Sequence, residues 1–94
     1  MEKIKIEDNG KKGRFLLLED GKEAGEMTFI WDGENKIVIE HTIVGKEYGG
    51  KGYAKKLMKK AVAFARENEV KVFPVCSFVV SMFEKDEGIH DVLA

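Results

Sequence analysis

The sequence predicts an α+β domain: an antiparallel four-stranded meander, a long helix, a short fifth strand and a short C-terminal helix. Two observations carry this prediction. The first half consists of short apolar runs separated by Asn9-Gly10, Asp20-Gly21 and Asp32-Gly33, which are hairpin-turn pairs. From Gly52 the apolar spacing changes to that of a helix.

Taken in order, Lys3–Asp8 alternates, with Ile4 and Ile6 on one face. Arg14–Glu19 is a second run, and Glu23–Trp31 a third, bent near Gly25. Lys36–Val44 is the strongest strand because it is rich in Ile and Val. In Gly52–Asn68 the residues Ala54, Leu57, Met58, Ala61, Val62 and Ala65 form one stripe, and lysines occupy the opposite face. Lys71–Val75 reads as a short strand with Pro74 near its end, since Pro has no N–H to donate. Ser77–Lys85 reads as a helix, with Gly88 as its stop. Phe64, Phe73, Phe78, Met82 and Phe83 are expected in the core, Trp31 as a hairpin anchor and His90 on the surface.

At 94 residues the chain suffices for one domain and one modest core, so residues 1–94 are taken as a single unit. No apolar run approaches the roughly 20 residues of a membrane span, and Met1–Ile6 lacks the pattern of a signal peptide. A cytoplasmic location is expected. Cys76 is the single cysteine, so no internal disulfide can form, and no metal is expected. Net charge is −1, yet Lys46–Lys71 carries +5 and the remainder −6. A basic stretch of that size suits an anionic ligand, or is simply a solvated helix face; a nucleic-acid binder would be basic overall.

The informative segment joins the strongest strand to the strongest helix: Val44-Gly45-Lys46-Glu47-Tyr48-Gly49-Gly50-Lys51-Gly52-Tyr53-Ala54. Glycines let the backbone approach a ligand, and the first helical turn offers free N–H groups at the positive end of the helix dipole. Together they suit a phosphate or pyrophosphate. The plain alternative is a tight strand-to-helix turn. A P-loop pattern runs from Gly45 through Gly50-Lys51 but meets Gly52 where a magnesium-binding hydroxyl is required. A dinucleotide pattern beginning at Gly50 and Gly52 meets Lys55 where Gly or Ala is required.

Read as Gly49-Gly50-Lys51-Gly52-Tyr53-Ala54, the segment resembles motif A of the Gcn5-related N-acetyltransferases, [QR]-x-x-G-x-[GA], at the family's position between fourth strand and long helix. Gly49 stands where Arg or Gln is usual, which removes one side-chain contact. The resemblance covers roughly Lys36 to Phe83 and is nearest to the short, single-domain subgroup of the family, which lacks the N-terminal helices that cover the acceptor site in larger members.

The resemblance implies the acyl-CoA N-acyltransferase-like fold and acetyl-CoA as cofactor. It implies that the fourth and fifth strands part, with the pantetheine arm between them. Ile43 and Val44 would then offer backbone partners to that arm. Gly49, Gly50, Lys51, Gly52, Tyr53 and Ala54 would surround the pyrophosphate, with Lys51 or Lys55 meeting its charge. Tyr48 and Tyr53 either pack on the cofactor or support the turn. The implied reaction is acetyl transfer to a primary amine, which needs a base for the amine proton and an acid for the departing thiolate.

Simple alternation puts Ile39, His41 and Ile43 on one face of the fourth strand and Glu40 and Thr42 on the other. His41 is a candidate base, or a hydrogen-bonded residue of a half-buried face. Glu40 is a weaker candidate whose other reading is a solvent-facing strand position. Cys76 precedes the second helix, where a thiol acquires thiolate character. It is a candidate general acid or acetyl carrier, or a buried thiol. The competing functions are a CoA- or acyl-CoA-binding module without turnover and a protein-interaction domain. The acceptor amine is not legible, and a monomer or weak homodimer is expected.

Overall fold

The computed structural model describes all residues from Met1 to Ala94. The strands are β1 (Glu2–Asp8), β2 (Lys12–Glu19), β3 (Lys22–Trp31), β4 (Lys36–Val44) and β5 (Lys71–Pro74); the helices are α1 (Tyr53–Asn68) and α2 (Ser77–Lys85). They form one sheet in the order β1-β2-β3-β4-β5, antiparallel through β4, with β5 parallel to β4 across the α1 connection. This is the α+β meander that the sequence predicts. Short 3-10 segments, Lys46–Tyr48 and Glu87–Val92, were not legible in it.

The two-residue loop Asp20-Gly21 has positive φ at both positions, 50° and 83°, as a twist-matched hairpin turn requires. At the Asn9-Gly10 turn, Asn9 Oδ1 accepts from the N–H groups of Lys11 and Lys12. Trp31 Nε1 donates to Asp8 Oδ1 at 2.9 Å, a bond that ties the end of β3 to the end of β1 and not to the Asp32-Gly33 hairpin it was expected to anchor.

Both helices cover the same face of the sheet. Leu57, Met58, Ala61, Val62 and Ala65 of α1 and Val79 and Phe83 of α2 share one buried cluster with Phe15, Leu17, Met27, Phe29, Ile37, Ile39 and Val72. Phe15, Phe29, Trp31 and Phe64 stack in that layer with ring centroids 5.1–6.2 Å apart. The stripe of α1 begins with buried Tyr53; Ala54 is only half-buried.

The opposite face has no helical cover. Arg14 runs across it, paired with Glu7, Glu23 and Glu26. Phe73 lies there, aligned with Val38 and 48% exposed, which corrects its expected place in the core. The parallel register turns Val72 to the helices and therefore Phe73 away from them. Phe64, Phe78 and Met82 are half-buried at the edge of the core, and Phe83 is fully inside.

Two further expectations change. β5 ends at Pro74, so Val75 lies beyond it and is 57% exposed. Gly88 does not stop α2. The helix ends at Lys85 and is followed by Asp86, whose carboxylate accepts from the Gly88 N–H and so starts the next 3-10 segment. That segment returns the chain to β5, where Ala94 N–H donates to Val72 O. His90 is exposed in it, with Nε2 2.6 Å from Phe83 O.

Candidate functional site

The site begins with an irregularity in β4. Thr28 of β3 pairs with His41, but its neighbour Phe29 pairs with Ile39, so Glu40 is an extra residue in β4. A bulge of this kind adds one side chain and shifts the phase of the strand. Cross-strand partners share a face. Ile39 therefore lies with Phe29 on the helix side, whereas His41 and Ile43 lie with Thr28 and Glu26 on the bare side. Thr42 moves to the helix side with Met27. This overturns the alternation expected above, which placed Ile39, His41 and Ile43 together. Glu40 is half-buried, and with His41 it lines a groove of about 570 Å³ on the bare face, beside Arg14 and Thr28. The Thr28 hydroxyl is buried there without a hydrogen-bond partner. His41 is exposed.

The bulge is also where β5 leaves β4. Their pairing runs from Lys36/Lys71 to Ile39/Pro74 and stops. The Ile39 carbonyl accepts from both Val75 N–H and Cys76 N–H, each at 3.1 Å, and the chain then turns into α2. From Glu40 to Val44, β4 has β3 on one side and no strand on the other. Gly45 N–H donates to Ala24 O on the β3 side. Extended-strand alternation then turns the backbone groups of Ile43 to β3 and those of Thr42 and Val44 to the gap. Ile43, expected to offer backbone groups to the gap, presents there neither its amide nor its side chain.

Cys76 closes the gap from the other side. Its Sγ lies 3.4 Å from Thr42 Oγ1, so the thiol faces the strand edge that β5 has left. Burial alone raises this thiol, but the Thr42 hydroxyl and the N–H groups of Val79 and Phe78 at the start of α2 outweigh it and hold the thiol below its ordinary value. Cys76 is thus half-buried and polarised rather than sealed in the core. His41 and Cys76 are not brought together, because Cys76 touches Thr42 and Thr42 and His41 point to opposite faces of β4.

At the far end of the gap the chain passes through Lys46–Tyr48 into the glycine loop. Gly49 N–H is used by Lys46 O, and Lys56 N–H by Gly52 O. Between them, the six amides from Gly50 to Lys55 have no hydrogen-bond partner in the protein. Gly50 and Gly52 hold φ of 81° and 75°, a conformation that side-chain-bearing residues rarely adopt. A methyl group built at either would meet nothing within 4 Å, so it is the positive φ and not crowding that calls for glycine there. As the residue before the helix, Gly52 has no side chain to cap these donors.

The side chains around the loop support its shape. Tyr53 is 3% exposed and its hydroxyl donates to Glu19, which also receives Lys51 Nζ at 2.7 Å. Lys51, and then Tyr53, hold the Glu19 carboxyl below its usual value, and the same carboxylate holds the Tyr53 hydroxyl well above the usual phenol value. Tyr48 packs on Tyr53 with centroids 6.1 Å apart, and Lys51 Nζ sits over both rings. Tyr53 therefore contributes its backbone amide to the open loop while its side chain is committed to β2. Lys51 is tied to Glu19, and Lys55 is exposed without an ion pair. No three His, Cys, Asp or Glu side chains lie together as a metal centre would require.

A meander whose fourth and fifth strands part beside a helix start with open amides has the fold of the acyl-CoA N-acyltransferase-like class. A GNAT family acetyltransferase from Elizabethkingia anophelis, solved with acetyl-CoA bound, superposes with a TM-score of 0.71 over 89% of this chain and 73% of that one. At 12% identity this likeness is one of fold. Residues 14–92 match the family described as GCN5-related N-acetyl-transferase. The chain belongs to that family. A GCN5-like candidate N-acetyltransferase from Staphylococcus aureus is 36% identical, with a TM-score of 0.69, over 96% of this chain and 87% of its own. Protein NATD1 of Gallus gallus is 27% identical and that of Homo sapiens 26%, each over 77 residues, or 81% of this chain and 70% and 68% of the relatives. No helix is long and apolar enough to cross a membrane.

Proposed function

We propose that the chain is a single-domain, acetyl-CoA-dependent N-acetyltransferase that acetylates a primary amine. The observation that carries this reading is the run of six unpartnered amides from Gly50 to Lys55 at the dipole-positive start of α1, next to the open edge of β4. Partnerless amides at a helix start fit a pyrophosphate, and an unpaired strand edge fits the amides of a pantetheine arm.

In this reading Gly50, Lys51, Gly52, Tyr53, Ala54 and Lys55 hold the pyrophosphate through their backbone amides, Gly49, whose N–H is taken by Lys46 O, only shapes the loop, and Lys55 adds charge. Thr42 and Val44 present N–H and C=O to the pantetheine arm in place of the pair Ile43 and Val44. Bound acetyl-CoA would supply the activated acetyl carbonyl. Cys76 Sγ holds the proton that a departing thiolate requires, and its polarisation by Thr42 and the α2 amides supports that role. His41 and Glu40 line the groove on the bare face, where an acceptor amine can enter and lose its proton to the His41 ring.

A residue-resolved NMR titration with acetyl-CoA tests the cofactor site. Shifts concentrated in Thr42–Lys56 and Val75–Phe78 are expected; no shifts at millimolar ligand would leave the loop a mere turn and the domain an interaction module. The Cys76→Ala variant is expected to lose turnover and keep its acetyl-CoA affinity. Unchanged turnover would remove Cys76 from the mechanism.

One observation favours a second reading, a CoA-binding module without turnover: His41 and Cys76 lie on opposite faces of β4, so no single face assembles an acid and a base. Acetyl transfer or hydrolysis above background, sensitive to His41→Ala, separates the two.

A further inference from the structure

The sheet has two outer edges, and the chain treats them differently. Along β5 its C-terminal segment forms a cover: Leu93 bridges to Val72 in parallel, and Ala94 N–H donates to Val72 O. β1 has only β2 beside it. Met1 O accepts from Asp20 N–H and Asn9 N–H donates to Lys12 O, so the odd-numbered residues turn their backbone groups to β2. Alternation then turns the N–H and C=O groups of Glu2, Ile4, Ile6 and Asp8 outward. Such a row is a template for one more strand.

Charge selects the strand that fits. The carboxylates along β1 are engaged: Glu2 with Lys56, Glu7 with Arg14, and Asp8 with Trp31 Nε1 and Gly10 N–H. Lysines stand on both faces of the edge. Lys3 and Lys5 are exposed on the bare face, in phase with Glu7 opposite Arg14. On the helix face a groove of about 370 Å³ separates β1 from α1, floored by Ile4, Leu17 and Ala63 and rimmed by Lys56, Lys59 and Lys60. Only Lys56 among these lysines is in an ion pair. A second copy of the chain does not fit. Pairing two β1 strands over their whole length would set Lys5 against Lys5 and Glu2 against Asp8, and like charges directly opposite destabilise a sheet. Nucleic acid lacks the alternating donors and acceptors that this edge pairs with.

We propose that the β1 edge is an interaction surface that adds an extended acidic peptide to the sheet. Its backbone pairs with the outward groups of Glu2–Asp8, and its carboxylates meet Lys3 and Lys5 on one face and Lys59 and Lys60 on the other. The proposal goes beyond the cofactor reading and does not depend on it, since β2 and β3 stand between this edge and the gap at β4.

The test is an NMR titration of the native chain with a capped heptapeptide of alternating threonine and glutamate. The threonine–lysine counterpart and a short oligothymidylate serve as controls. At a peptide concentration about ten times Kd, amide exchange at Ile4 and Ile6 should slow by about tenfold, whereas Lys3, Lys5 and Glu7, already bonded to β2, should change little. The lysine peptide should bind at least roughly tenfold more weakly. Lys5→Gln and Lys60→Gln should each weaken the acidic peptide by roughly two- to threefold. Lys85→Gln, in the last turn of α2 and away from β1, should leave binding in place. Equal binding of the acidic and lysine peptides would overturn the proposal, as would an equal loss in Lys85→Gln and Lys60→Gln. Unchanged exchange at Ile4 and Ile6 under bound peptide would overturn it too. Oligothymidylate bound as tightly as the peptide would make the edge a general polyanion surface, and no binding of the acidic peptide at millimolar concentration would leave the lysines as a solvated rim.

Discussion

Below Glu40, β4 has a strand on each side and helices over Ile37 and Ile39, both fully buried. Above Glu40 it keeps only β3, its outer edge faces a gap, and Ile43 is 58% exposed. One strand thus builds the core with its first half and an open edge with its second, and one inserted residue separates the two. In a strand without the slip, Ile39, His41 and Ile43 would share one face.

The sharpest break of this comparison is expected in the lower half. Ile39→Ala should cost about 2–5 kcal/mol in urea unfolding, since it empties a fully buried site. Removal of Glu40 should next affect the upper half selectively. Without the extra residue the neighbouring side chains keep their faces, so the fold should persist by circular dichroism, but a straightened β4 would extend its pairing with β5 and acetyl-CoA should no longer protect against heat. Retained protection would mean that the gap does not depend on the bulge. Gly52→Ala should cost roughly 1–2 kcal/mol, because positive φ and not lack of room restricts that position. Ile43→Ala, on the exposed half of the same strand, should change stability by about 0.5 kcal/mol or less.

A pH experiment sharpens the same contrast. Folding lowers the Cys76 thiol, so at low pH both states are protonated and the thiol adds nothing. As pH rises through the window between the folded and unfolded thiol values, its contribution to stability grows, and it is complete above the unfolded value. Alkylation by iodoacetamide should accordingly reach its midpoint at lower pH in the native chain than in urea. Thr42→Val, which removes one of the groups that lower the thiol, should move the native midpoint upward.

The frame was legible wherever local chemistry dictates geometry. Asp20-Gly21 demands its turn, the α1 spacing demands one buried face, and the Gly49–Ala54 loop marks a strand-to-helix junction with spare amides. The bulge was not legible. Ile37, Val38, Ile39, Ile43 and Val44 are apolar on both parities, so the sequence carries no phase from which a slip could be noticed, and Glu40 is no glycine that would mark an irregularity. Phe73 was misplaced for a related reason: a four-residue parallel strand takes its inward parity from the register with β4, which only the tertiary fold supplies. Gly88 looked like a helix stop because glycine commonly is one, but Asp86 reaches it first.

The double acceptor at Ile39 has a kinetic corollary. By taking the amides of both Val75 and Cys76, that carbonyl clamps the fork where β4 and β5 part, and the slot it defines exists before any guest arrives. Entry should therefore be a single encounter without a preceding or following rearrangement. In stopped-flow mixing the observed rate would climb in direct proportion to acetyl-CoA concentration, with no plateau of the kind that a slow opening step imposes.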